Sequence, residues 1–150
     1  MADPDLTRTA RRRRIVGGVL VAGFAAVLIA IVVVRSAGEK VLNENGETLV
    51  LVGKDGVAAG EVEVDAFVAE VGGCLGITGR DGKTQVVVWP HGTTIKTPEP
   101  LRVTVDGKNY ATGQAVSLRG TSSTIEPSDY FYDKVPEDCR AATVFVASGA

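Results

Sequence analysis

The chain contains one histidine and one tryptophan in 150 residues, and they stand two apart in "VVVWPHGT", residues 86–93. His91 has the chemistry of a general base, the role imidazole fills most often near neutral pH. A hydrolytic site would pair it with an activated nucleophile or a bound metal. The sequence holds neither G-x-S-x-G nor H-E-x-x-H. The same residues also describe a strand exit: Pro90 cannot donate to a ladder, Gly92 permits a positive φ, and Trp89 caps an apolar core. The pattern favours a turn at a rim, and no catalytic residue is assigned.

Cys74 and Cys139 are the only cysteines. Both lie on the side of the apolar run 15–34 that the charges assign to an oxidising exterior, where an even count implies a disulfide. The bond would close a loop of 65 residues. Loop-closure entropy makes such a bond worth on the order of 4 kcal/mol. The competing arrangement is a metal site of Cys74, Cys139 and His91. Structural zinc usually takes four ligands with local pairs such as C-x-x-C, and none of these three is close to another in sequence. No metal or cofactor is expected.

Residues 121–138, "TSSTIEPSDYFYDKVPED", form a long connection that concentrates Tyr130, Phe131 and Tyr132. Clustered aromatics on a long loop suit packing over the end of a β scaffold, and the same segment is the first choice for a contact surface. Together with Trp89 and His91 they make up the expected binding surface. Asp129, Asp133, Glu137 and Asp138 lack the spacing of a calcium loop and read as a solvated acidic segment.

The elements that must position these residues are strands. Beyond residue 46 the apolar stretches are short, β-branched and broken by Gly and Pro: "ETLVLVG", "EVEVDAFVAEV", "TQVVVWP", "LRVTV", "KNYAT", "QAVSLRG" and "ATVFVAS". Asp-Gly pairs at 55–56, 81–82 and 106–107 mark turns, and the last separates two strands as a two-residue type I′ hairpin requires. "EVEVDAFVAEV" changes phase part-way, which suggests a bulge. Six or seven strands predict an all-β domain, a small closed or partly open antiparallel barrel, with a sandwich as the alternative.

Before the domain, residues 15–34 run for 20 positions without a charge. As a helix this run would span roughly 30 Å, the thickness of a bilayer's hydrocarbon core. Arg8 and Arg11–Arg14 precede it, so the positive-inside rule places residues 1–14 in the cytoplasm as a basic tail and the C-terminal part outside. Arg35 stands where a cleavable signal would need a small residue, which favours a retained anchor. Within the run, Gly18, Ala22, Ala26 and Ala30 recur every four residues, a ridge suited to weak self-association of two helices. Residues 35–46 read as a linker and 47–150 as the extracytoplasmic β domain. The tail carries a net charge of +3 and the rest −5, and so acidic an exterior offers no footprint for nucleic acid.

"GCLGI", "VVVWPHGT", "YATGQAVSLRG" and "VPEDC" before a final apolar strand resemble a family of uncharacterised actinobacterial lipoproteins and membrane-anchored envelope proteins. The resemblance covers roughly residues 61–148 and implies an extracytoplasmic β domain with no assigned activity. The expected function is that of a single-pass cell-membrane protein, not an enzyme, presenting a disulfide-tied β domain for binding or structural support. Its partners would be membrane lipids along 15–34 and an envelope protein or ligand. The alternative is a small envelope enzyme or ligand carrier with a pocket near Trp89, His91 and the 129–133 aromatics.

Overall fold

"VVVW" lacks the in–out alternation of a half-exposed strand, and the structure shows why. A computed structural model describes residues 38–150. The strands in chain order are β1 (Lys40–Leu42), β2 (Val50–Val52), β3 (Val62–Val71), β4 (Cys74–Gly79), β5 (Thr84–Trp89), β6 (Thr94–Pro98), β7 (Leu101–Val105), β8 (Lys108–Ala111), β9 (Ala115–Ser123) and β10 (Val144–Gly149). A short helix α1 (Glu137–Ala141) precedes β10. Seven strands form a sheet in the order β1-β2-β5-β10-β9-β3-β4, and β4 also pairs with β5, which closes β3, β4, β5, β10 and β9 into a ring. One edge of β5 is shared: Thr84–Val86 pair with β4, whereas Val88 and Trp89 pair with Leu51 and Val52 of β2.

The side chains of β5 alternate between two cores. Val87 and Trp89 point into the ring with Val50, Val68, Leu75, Ile77, Leu118 and Phe145. Val86 and Val88 point outward, into a second cluster with Leu51, Cys74, Ile125, Phe131, Val135, Cys139 and Val144. A strand buried on both faces needs apolar residues at every position. A second, three-stranded sheet, β6-β7-β8, adds Val103, Val105 and Tyr110 to the inner core.

Several expectations are corrected. The ring is mixed, not purely antiparallel, because β5 runs parallel to β10, as it also does to β2 outside the ring. The connection of residues 90–143 is long enough to bring the chain back alongside β5 in the same direction. The linker assigned to 35–46 contains β1, which pairs with β2 through Lys40↔Val52 and Leu42↔Val50. Three residues are too few to show a periodicity, so this strand and the charged β6 escaped the pattern, and so did five-residue α1, which buries only Cys139. No register shift interrupts β3 against β4 or β9. Its change of phase arises because Ala66 and Val68 face the inner core and Val71 faces the outer one. The apolar run 15–34 and the ridge Gly18, Ala22, Ala26 and Ala30 lie outside the described residues. Among the described residues no helix is long and apolar enough to cross a membrane.

Turns behave as their composition dictates. Asp106 and Gly107, at φ 49° and 78°, join Val105 to Lys108 as a two-residue hairpin. In the β4–β5 turn the Asp81 carboxylate accepts a hydrogen bond from the Lys83 amide at 3.1 Å, and that bond foremost lowers its pKa. The contribution of this bond is therefore present above the ordinary carboxylate range and fades as the pH falls through the lowered pKa. Gly72–Gly73 joins Val71 to Cys74 in the same two-residue manner, and a Cβ on Gly72 would lie 2.5 Å from the Asp138 carbonyl carbon. Gly72→Ala should therefore cost about 2–4 kcal/mol, conformational strain plus displacement of α1. Gly107→Ala, at φ 78° with open space around it, should cost only about 1–2 kcal/mol. Urea unfolding of the two variants checks the difference.

Candidate functional site

Two places gather the residues singled out by chemistry, one on the outer face of β5 and one beyond its C-terminal end. On the outer face, residues 124–142 cross β5 and β10 and lay Ile125, Phe131, Val135 and Cys139 over Val86, Val88 and Val144. Cys139 is bonded to Cys74 at the start of β4, with the Cα atoms 5.9 Å apart. This is the disulfide the sequence pointed to, and it excludes the alternative metal site of Cys74, Cys139 and His91. Among the described residues no group of three or more His, Cys, Asp or Glu could hold a metal ion.

The aromatic cluster divides by burial. Phe131 is 4% exposed and belongs to the outer core, Tyr132 is half-buried, and Tyr130 is exposed at 42%. Tyr130 and Phe131 meet edge to face at 5.4 Å. Lys134 Nζ sits 3.9 Å above the Tyr130 ring and donates to the Tyr130 carbonyl at 2.8 Å. Arg140 lies 4.8 Å over the Tyr132 ring, and its Nη1 donates to the Tyr132 carbonyl at 3.1 Å. The segment's own cations thus occupy two of the three aromatic faces. The Asp129 carboxylate accepts from the Glu126 amide at 2.7 Å and so shapes a turn.

Trp89 belongs to neither surface. It is 0% exposed, and its indole N–H donates to the Leu75 carbonyl at 3.2 Å inside the ring. The expected surface of Trp89, His91 and residues 130–132 is therefore not brought together: Trp89 faces the inner core, Phe131 the outer one, and His91 follows the end of β5. Adjacent positions on a strand point to opposite sides, which periodicity cannot reveal when both sides are apolar.

His91 occupies the turn Pro90–Thr93, closed by the Thr93 amide and hydroxyl, which both donate to the Pro90 carbonyl at 3.2 and 2.7 Å. The side chain is half-buried, and its Nδ1 is shielded from solvent with no hydrogen-bond partner. An imidazole nitrogen left in that state costs about 1–3 kcal/mol until something pairs with it. Beside it opens a cleft of about 280 Å³ lined by residues 53–57, Pro90, His91, Asp106, Ala147 and Ser148. Ser148 is held in place, since its hydroxyl accepts from the Gly60 amide and donates to the Arg119 carbonyl. Lys54, Asp55 and Asp106 were not singled out as site residues. The Asp-Gly pairs at 55–56 and 106–107 were visible as turns, but only the tertiary fold places both turns beside Pro90–His91. The cleft offers hydrogen bonds and charge of both signs.

These placements separate packing from contact. Phe131→Ala should lower stability by about 3–5 kcal/mol and Tyr130→Ala by less than about 1 kcal/mol. Replacing both cysteines by serine should cost on the order of 4 kcal/mol. Denaturant midpoints under oxidising conditions measure all three. Set against known proteins, the chain matches no family model, no curated protein and no solved structure.

Proposed function

We propose that this chain is a single-pass membrane protein of the cell envelope that presents its β domain outside the cytoplasm as a rigid module for binding or structural support. The observation that carries the reading is the Cys74–Cys139 bond, which ties α1 to β4 and is of a kind that persists in oxidising compartments. The charge-free run 15–34 and the arginines before it supply the anchor and its orientation. The resemblance to membrane-anchored envelope proteins points the same way.

Residues 124–142 cover Val86 and Val88 on the outer face of β5. The cleft beside His91, lined by four separate segments of the chain, supports the strand ends as a place for binding. The unpartnered His91 nitrogen favours a second reading, a ligand carrier that uses this cleft. His91→Ala separates the two: loss of the cellular role with unchanged folding supports the carrier, and an unaltered role supports the module.

The anchor and its orientation are tested by the intact mass of the membrane-extracted chain after alkylation. The full-length mass is expected, with no alkyl group added until a reductant is supplied and two added afterwards. Immediate labelling of both thiols, or a mass lacking residues 1–34, would overturn this reading.

A further inference from the structure

Four pairs among the described residues set a side-chain carboxyl or carboxamide next to a glycine amide: Asn45–Gly46, Asp55–Gly56, Asp81–Gly82 and Asp106–Gly107. Such a pair can close on itself, because the unhindered glycine nitrogen can attack Cγ of the residue before it and form a five-membered succinimide. In a free peptide Asn-Gly closes faster, since a carboxamide loses ammonia at neutral pH whereas a carboxyl group must be protonated before it loses water. Folding alters that order through the hydrogen bonds of each turn. The Gly46 amide donates to Asn43 Oδ1 at 2.8 Å, and Asn45 Oδ1 accepts from the Glu47 and Thr48 amides, each at 3.1 Å. Closure at Asn45 would therefore break three hydrogen bonds. The Gly82 amide is taken by the Gly79 carbonyl at 3.0 Å and Asp81 Oδ1 by the Lys83 amide. Asp106 Oδ2 is turned to the Ala150 amide at 3.2 Å. Of the four glycines, only Gly56 donates its amide to the side chain of the residue before it, to Asp55 Oδ1 at 2.8 Å. Nucleophile and carboxyl group are thus already in contact. Gly56 has open space around it, so nothing packs against ring closure.

We propose that Asp55, and not Asn45, is the residue at which the folded domain modifies itself, by isomerisation to isoaspartate. The Gly56 nitrogen bonds to Asp55 Cγ, the Cγ–O bond of the protonated carboxyl group breaks, and the hydroxyl leaves with the amide proton as water. Water then opens the succinimide at one carbonyl or the other, giving back aspartate or leaving isoaspartate. The net mass is unchanged, and water is the sole co-reactant. In isoaspartate the main chain runs through Cβ, which lengthens the connection between β2 and β3 by one methylene. Asn43 is the guard at the other pair, because its side chain holds the Gly46 N–H and keeps that nitrogen from Asn45. Both sites lie within residues 43–56, so the outcome is independent of the membrane anchor, which the alkylation experiment reports separately.

Trypsin cuts between the four pairs, at Lys54, Arg80 and Arg102, so each can be followed by itself. The full chain is aged at neutral pH in detergent micelles and, in parallel, reduced and unfolded in urea. Its peptides are then compared by chromatography and mass with synthetic aspartate and isoaspartate standards. In the folded chain isoaspartate is expected at Asp55 at least about tenfold ahead of Asp81 and Asp106. Deamidation at Asn45 should be at least about tenfold slower folded than unfolded, since one hydrogen bond is worth up to about that factor and three must break. Asn43→Ala should speed it about fivefold in the folded chain, and Asn43→Asp, which keeps the acceptor, should leave it slow. An unchanged thermal midpoint would show that both variants remain folded. The proposal is overturned if Asp55 isomerises no faster than the other two aspartates, if folding does not slow Asn45, or if the folded Asn43→Ala variant deamidates like the parent chain.

Discussion

Val86–Trp89, the last four residues of β5, are left with almost no surface for water. The strand's edges pair with β10 on one side and with β4 and then β2 on the other, and its faces look into two separate apolar clusters. The ring buries Val87 and Trp89, and residues 124–142 bury Val86 and Val88. Strand pairing also satisfies the backbone amides and carbonyls that such burial would otherwise orphan, and the Trp89 indole N–H finds the Leu75 carbonyl within the core.

A second constraint follows from the first. The outer cluster is roofed by a segment with little regular structure of its own, a single 3-10 turn at Tyr132–Lys134 and the five residues of α1. Segments of that kind lose much conformational entropy on ordering. The disulfide removes part of that cost by holding Cys139 against Cys74, and the Gly72–Gly73 turn lets the α1 backbone approach where any side chain would collide. Lys134 and Arg140 then fold back over Tyr130 and Tyr132. The aromatic segment is thereby a roof first and a surface second.

With the inner core filled and the outer face of β5 roofed, polar chemistry is left to the turns at the strand ends. A turn position is free to carry charge because it has no core to serve. Where several turns are gathered by the ring, their charges come to share one solvent cleft. His91, Lys54, Asp55 and Asp106 are such a set, contributed by three separate connections that follow β5, β2 and β7.

The sequence by itself determined the β class, most strand positions, the Asp106–Gly107 hairpin, the strand exit at Pro90–His91 and the pairing of Cys74 with Cys139. All of these rest on local preference or on simple counting: β-branched runs, Asp-Gly turns, a proline without an N–H, two cysteines. The tertiary structure alone decided which face of each strand meets which core. Continuous runs such as "VVVW" carry no phase, so the sequence groups Trp89 with a binding surface although it is wholly buried, and nothing local separates Phe131, which packs beneath its own loop, from Tyr130, which is exposed. Parallel pairing of β5 with β2 and β10, and the meeting of Lys54, Asp55, His91 and Asp106, depend on contacts between residues tens of positions apart. Long-range pairing is a property of the closed ring, which no window of the sequence contains.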